Sequence, residues 1–310
     1  MKHTIYAGTY TSKTSQGIYT FDFQNGKLSN PQLFYSIKNP KYLCVNQNNI
    51  VSTVDFDEGS GVILMDHQRN VLDKFVFEHC TSCYITQKGN RLYTANYHEG
   101  TFSVLEIKDN HLTYLQTVHI KEHAGCHQVL FWKDLILIPC LFLDQVLFFD
   151  RDLHPAGSID FKKGTGPRHG IFTKDQNYLY LVSELSNELF VISTTDWEIV
   201  SSISILPDGQ THKNDTAAIR MNKEETRLYI STRTMDILSV INIEDEQPQL
   251  IQTIDCGGKH PRDFILIEDY LLCANRLSDS VCSFEIKKDG TVGNLVSEIT
   301  VPECVCLDTP

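Results

Sequence analysis

The chain has 310 residues, 41% of them hydrophobic and 21% charged, the balance of a folded globular protein able to bury a large core. No apolar run reaches the roughly 20 residues that a membrane-spanning helix needs. With 27 Lys and Arg against 39 Asp and Glu the net charge is −12, which repels nucleic acid and anionic membrane surfaces, so neither is an expected partner.

The N-terminal stretch Met1 to Thr9 has no apolar secretory core, and a cytoplasmic location is expected. Taken in chain order, TIYAGTYTS at 4–12 and GIYTFDF at 17–23 read as two short strands. A longer unit follows: an apolar strand, a polar turn, a second strand with a Leu-Tyr-like pair, a break, and an alternating third strand. Copies begin at Tyr42, Cys83, His127, His169, Ala218 and Asp263, at intervals of 41 to 49 residues. The mean, about 44, is the period of a four-stranded propeller blade. Six complete copies leave one blade to be assembled from the termini, with ECVCLD at 303–308 as its first strand and the two N-terminal segments as its second and third. The expected fold is therefore all-β: one seven-bladed β-propeller over 1–310, its four-stranded antiparallel blades closed by the N- and C-terminal strands sharing a blade. Val, Ile, Tyr and Phe dominate the runs and polar turns interrupt them every 8–12 residues, so no long helix is expected.

In such a blade the start of the first strand and the end of the second meet at one edge. The first-strand column reads Tyr42, Cys83, His127, His169, Ala218, Asp263 and Cys304; the second reads Phe56, Tyr97, Leu141, Glu184, Arg233, Arg276 and Tyr10. Ionisable groups thus cluster at one mouth. The segment Gly164-Thr165-Gly166-Pro167-Arg168-His169 delivers an Arg-His pair, Glu184 follows on the same edge, and Arg220, Arg233, Arg262 and Arg276 come from the next two blades. Guanidinium groups in that number suit a small anion, which they bind through a planar fork.

Other motifs carry less. Cys80-Thr81-Ser82-Cys83 is a C-x-x-C without a βαβ unit or a second pair at zinc spacing, and the ten cysteines, scattered singly as at Cys44, Cys140, Cys273 and Cys282, read as reduced apolar residues. Asp55-Phe56-Asp57-Glu58-Gly59 lacks a full calcium ligand series and reads as a blade turn. Gly164-Thr165-Gly166 precedes a strand and is not a dinucleotide loop. The sequon at Asn214 matters only in a secreted chain. No metal or other cofactor is expected, and a closed ring is expected to be a monomer.

IYAGTYTS, NPKYL at 39–43, ANYHEGTFSVLEI at 95–107, LDQVLFFD at 143–150, GTGPRHGIF at 164–172, SEL at 183–185, STR at 231–233 and GKHPRDF at 258–264 together resemble the seven-bladed propeller lactonases of the bacterial 6-phosphogluconolactonase type, relatives of the fungal carboxymuconate-lactonizing enzymes. The resemblance spans essentially the whole chain. It implies that His127, Arg168, His169, Glu184, Arg220, Arg233 and Arg262 form the mouth, with Asn96 and Asn275 as polar neighbours. The chain departs from the family at Gly125, where many relatives have His, at Ser183 in place of Asn, and at Asp263 in place of His.

The expected activity is hydrolysis of an anionic, phosphorylated or carboxylated sugar lactone, with 6-phosphogluconolactone implied by the resemblance. His169, Glu184, Arg168 and His127 are the expected catalytic groups; Arg220, Arg233, Arg262, Arg276, Asn96, Asn275 and Tyr97 are the expected substrate-binding ones. Glu184 has a competing role as structural counter-ion for Arg168 or Arg233, and Tyr10 and Tyr97 a competing role in packing. Two other functions stay open: a carboxymuconate-type lactonizing cycloisomerase, and a propeller that only binds, since the fold alone selects neither.

Overall fold

A computed structural model describes residues 1–210, 215–245 and 247–310, so Asn214 of the sequon lies outside the described residues. Seven four-stranded antiparallel sheets follow one another in the chain. Six are sequence-continuous, at 43–78, 84–119, 130–160, 167–204, 216–255 and 261–300; they are blades 2 to 7. Blade 1 combines the C-terminal strand Cys304–Asp308 with three N-terminal strands, Lys2–Thr9, Gly17–Gln24 and Lys27–Ser36. The only helical pieces among the described residues are two three-residue turns, Leu141–Leu143 and Arg276–Ser278. No helix is long and apolar enough to cross a membrane.

Burial explains the strand composition. Second strands lie between two neighbouring blades and are covered on both faces, so Ile50–Phe56, Arg91–Asn96 and Tyr178–Ser183 have runs of five consecutive buried residues. Fourth strands form the outer wall and carry mostly exposed residues, as in Lys27–Ser36 and Val292–Thr300. Apolar clusters fill the gaps between adjacent blades: Val51, Val62 and Leu64 of blade 2 meet Ile85, Leu92 and Leu105 of blade 3, and Ile5, Ala7 and Phe21 of blade 1 meet Leu272 and Val281 of blade 7. All ten cysteines are free, seven of them fully buried.

The inner strand of blade 4 is shorter than the copy beginning at His127 implies. Only Leu130–Trp132 pair as a strand with Leu135–Cys140. Pro139 has no N–H to continue the ladder, so His127 and Gln128 lie outside regular pairing. The Gln128 side chain instead bonds the Gly170 backbone of the next inner strand at 2.7 and 3.3 Å.

Closure depends on Tyr6, Ala7 and Gly8 pairing with Asp308, Leu307 and Cys306. Cys304, Val305, Cys306 and Leu307 are at most 2% exposed. Removing residues 303–310 deletes these side chains and opens the edge of Lys2–Thr9. At about 1.5–3 kcal/mol for each large buried side chain, the loss should exceed about 5 kcal/mol, most of a typical folding stability. The truncated chain is expected to be insoluble or to lose its cooperative urea transition; a wild-type midpoint would refute the role of the terminal strand.

Candidate active site at the propeller mouth

The inner strands enter, and the second strands leave, at one end of the ring. There the axis opens into a pocket of about 190 Å³. Of the anticipated residues, Tyr97, His127, Glu184, Arg233 and Arg262 line it, as do Tyr10 and Cys83 of the two columns. Lys41, Thr81 and His98 also line it and were not anticipated.

β-Bulges at the starts of inner strands set which side chains reach the mouth, and those of blades 5 and 7 place arginines there. The register shifts between Pro167 and His169 in blade 5, and between Pro261 and Asp263 in blade 7. The extra residues are Arg168 and Arg262, each directly after a proline, and a bulged residue is re-aimed relative to its strand. The blade columns are therefore one residue late in these two blades: the residue before each, Arg168 or Arg262, points toward the site. Lys41 likewise follows Pro40 at the entry to blade 2. A Pro-cation pair at 40–41, 167–168 and 261–262 is the signal that could have identified Lys41.

The Gly-Thr-Gly turn before Arg168 is held from outside. Asp144 accepts the N–H groups of Gly164 and Gly166, both at 2.8 Å, and Gly166 takes φ +66°, with Leu185 where a Cβ would stand. Arg168 is 1% exposed. Its Nε donates to Glu184 Oε2 at 2.8 Å, and Nη1 donates to the Ala217 carbonyl. Arg233 Nη2 reaches the same Oε2 at 3.0 Å. Both cations thus use one oxygen, and Oε1 has no protein donor among the described residues. Burial pushes the Glu184 carboxyl up, but Arg168 and Arg233 outweigh it and hold the pKa below the usual value. Burial brings Arg168 down to about 10, leaving it charged at neutral pH.

The two histidines form a layer. His127 Nδ1 and His169 Nε2 are 3.0 Å apart; His127 lines the pocket, whereas His169 stands behind it, edge-on to Tyr84. Among the described residues His127 Nε2 has no hydrogen-bond partner, and His169 Nδ1 is buried without one. Burial, followed by the field of Arg168, lowers both pKa values well below the ordinary one, so both rings are neutral at pH 7. Burial also raises the Cys83 thiol to about 11, and it stays protonated.

The other anticipated residues lie elsewhere. Arg220 sits farther down the axis, four positions after Thr216 on an inner strand rising about 3.3 Å per residue, and pairs with Asp263 at 2.7 Å. Asp263, one of the departures from the family pattern, thereby neutralises it. Arg276 stands behind Tyr10, its guanidinium carbon 4.2 Å from the ring centroid. Asn96 is fully buried, bonding the Cys80 carbonyl and the His98 and Glu99 N–H groups; it shapes the loop that presents Tyr97 and His98. Asn275 is fully buried and bonds the Cys256 carbonyl at 3.0 Å, outside the pocket. Gly125 adopts φ +73°, and a Cβ there would meet Phe142 and Leu141 at 3.0 and 3.1 Å, so the histidine of relatives would be strained on this backbone. Ser183 Oγ serves its own turn, accepting from Glu188 N at 2.9 Å. Asp55 of the turn at 55–59 bonds Ser60 and Thr81, bracing the pocket wall. Among the described residues no group of three or more His, Cys, Asp and Glu side chains is placed to hold a metal ion.

A depressed histidine pKa gives the fold a defined pH response. Above the ordinary value near 6.5 the pair's contribution to stability is fully present; below it the unfolded chain takes up protons the native pair refuses, and stability falls. The limiting slope is about 1.4 kcal/mol per pH unit for each histidine. His169→Gln should remove one such share from the dependence of the urea midpoint between pH 6 and 5. An identical slope in the two proteins would mean that His169 is not held neutral.

A sequence model of the family described as "Lactonase, 7-bladed beta-propeller" matches residues 4–309. The 6-phosphogluconolactonase of Bacillus subtilis is 26% identical, over 99% of this chain and 98% of that protein. A protein of Lactobacillus plantarum superposes with a TM-score of 0.93 at 27% identity, over the full length of both chains. The periplasmic gluconolactonase of Pseudomonas aeruginosa superposes with a TM-score of 0.87 at 20% identity, over 100% of this chain and 99% of that one, which is a likeness of fold. With the family model covering all but a few terminal residues, this chain belongs to the seven-bladed β-propeller lactonases.

Proposed function

We propose that the protein hydrolyses an anionic sugar lactone at the axial pocket, with a phosphorylated aldonolactone such as 6-phosphogluconolactone as the substrate class. One observation carries the reading: a neutral His127, with Nε2 free, shares a single pocket with the open Oε1 of Glu184 and with Arg233, Arg262 and Lys41. This combination supplies a proton acceptor, a fixed carboxylate and donors for negative charge.

In the proposed reaction, water positioned by Glu184 Oε1 attacks the lactone carbonyl carbon and gives its proton to His127 Nε2. His127 Nδ1–H donates meanwhile to His169 Nε2, which fixes the ring. His169 is then a positioning residue, and the base is His127. The carbonyl oxygen becomes an oxyanion stabilised by the Arg233 guanidinium, the type of preorganised term that contributes most in ester chemistry. The ring C–O bond breaks, the proton on His127 passes to the departing oxygen, and the open-chain acid leaves. The positive field that weakens His127 as a base also stabilises the charge developing on the carbonyl oxygen, so weak basicity does not disqualify it. The Cys83 thiol, raised to about 11, is a poor nucleophile by comparison.

Two measurements test this. Lactone hydrolysis should be seen as proton release above the spontaneous rate, with the hydroxy acid as the only product, and His127→Ala should lower kcat by about 100-fold or more. A product that retains a lactone ring, or wild-type protein inert toward both phosphorylated and carboxylated lactones, would overturn the reading. Because the base is active when deprotonated and its pKa lies below the ordinary histidine value, kcat/KM should be flat from pH 8 to 6 and fall only at lower pH. An acid limb centred near 6.5 would instead point to an unperturbed histidine.

A further inference from the structure

The positive charges of the mouth divide into two sets. Arg168 and Arg233 share Glu184, and Arg220 is matched by Asp263. Lys41, Arg262 and Arg276 have no carboxylate within ion-pair distance among the described residues. These three come from blades 2 and 7, far apart in sequence, yet they gather around one aromatic ring. The Tyr10 ring centroid is 4.2 Å from Arg276 Cζ, 5.4 Å from Arg262 Cζ and 5.9 Å from Lys41 Nζ. Tyr10, Lys41 and Arg262 line the pocket, and Arg276 packs on the same ring without lining it.

Three like charges around one ring repel one another, and the ring's negative face offsets only part of that repulsion. The arrangement suits an anion. One carboxylate would leave two of the three charges unmatched, whereas a phosphate monoester carries about −1.5 to −2 and three acceptor oxygens. The donors fit that shape, since Arg262 offers a planar fork and Lys41 a compact ammonium with rotatable donors.

We infer that Lys41 and Arg262, held on Tyr10 and reinforced by Arg276, form a seat for the phosphate of the substrate, separate from the Glu184–His127 side where the lactone reacts. Lys41 is the specificity-determining residue of this seat, reading the phosphate and not the ring. The assignment rests on the lactonase reading for its substrate but not for its anion. A phosphate bound at Lys41 orients the tail of the lactone toward blades 1, 2 and 7 and leaves its carbonyl facing blades 4 to 6.

The test uses inorganic phosphate as one probe and a matched pair of lactones, 6-phosphogluconolactone and glucono-δ-lactone, as the other. In calorimetry, phosphate should bind the wild-type protein, and Lys41→Gln should weaken it by about tenfold or more, the effect of losing one charge-assisted hydrogen bond. Lys41→Arg should restore much of the binding, and Lys88→Gln, a surface cation on the opposite face, should bind phosphate as the wild type does. In kinetics, Lys41→Gln should lower the ratio of kcat/KM for the phosphorylated lactone over the unphosphorylated one by at least about tenfold, chiefly through KM. Phosphate that does not bind the wild type, or binds Lys41→Gln equally well, overturns the seat. An unchanged substrate ratio in Lys41→Gln overturns its part in specificity. Absence of lactone turnover by the wild type sinks the hydrolase reading instead, and the phosphate titration still decides whether the seat exists.

Discussion

A single carboxylate oxygen, Glu184 Oε2, holds two guanidinium groups at the mouth of the propeller. Arg168 is among the largest fully buried side chains of the protein, and an arginine so placed needs a partner, because breaking a buried pair by removing one member costs about 3–5 kcal/mol. The requirement propagates outward. The bulge after Pro167 aims Arg168 at Glu184, the Asp144-held turn fixes that bulge, and the Ala217 carbonyl accepts from Nη1. It also propagates into the chemistry, since the same cation, together with burial, keeps His127 and His169 neutral. Glu184 therefore uses its two oxygens differently: Oε2 satisfies the arginines, and Oε1 remains available to the pocket.

The ring was legible in the sequence because its information is local and repeated. Each blade announces itself by short β-branched and aromatic runs cut by polar turns, and the missing first strand of the blade shared by the termini is visible in ECVCLD. The mouth was legible to within one residue. Side chains alternate along a strand, so an error of one position exchanges a pocket residue for a neighbour. In blade 5 the mouth column falls on His169 while Arg168 turns to Glu184, and in blade 7 it falls on Asp263 while Arg262 enters the pocket, because the bulges at 167–169 and 261–263 have no marker in hydrophobic periodicity. Arg220 and Asn275 carry suitable chemistry at unsuitable depth: the first lies down the axis beside Asp263, the second inside a blade interface. Lys41 was missed through the same offset, as it stands one residue before Tyr42 of the first-strand column.

The departures at Gly125 and Asp263 form part of a consistent local design. Gly125 occupies a left-handed conformation against Leu141 and Phe142, so the first turn of blade 4 is tighter than a histidine at that position would permit. Asp263 cancels Arg220 within the channel. The Arg220–Asp263 pair leaves the surplus positive charge nearer the opening, around Tyr10.

That surplus coexists with a net charge of −12, and distance reconciles the two. At physiological ionic strength fields decay over about 8 Å, so an anion approaching the acidic outer surface feels little attraction until it reaches the mouth. Inside, the walls have low polarisability and the charges are fixed by Glu184, Asp144 and the Tyr10 ring, so the same cations act at nearly full strength. Recognition of the proposed anionic substrate is accordingly a short-range matter of matching oxygens to guanidinium and ammonium donors, with little long-range steering. On the proposed reading, the pocket selects by the chemistry of the anion it has already admitted.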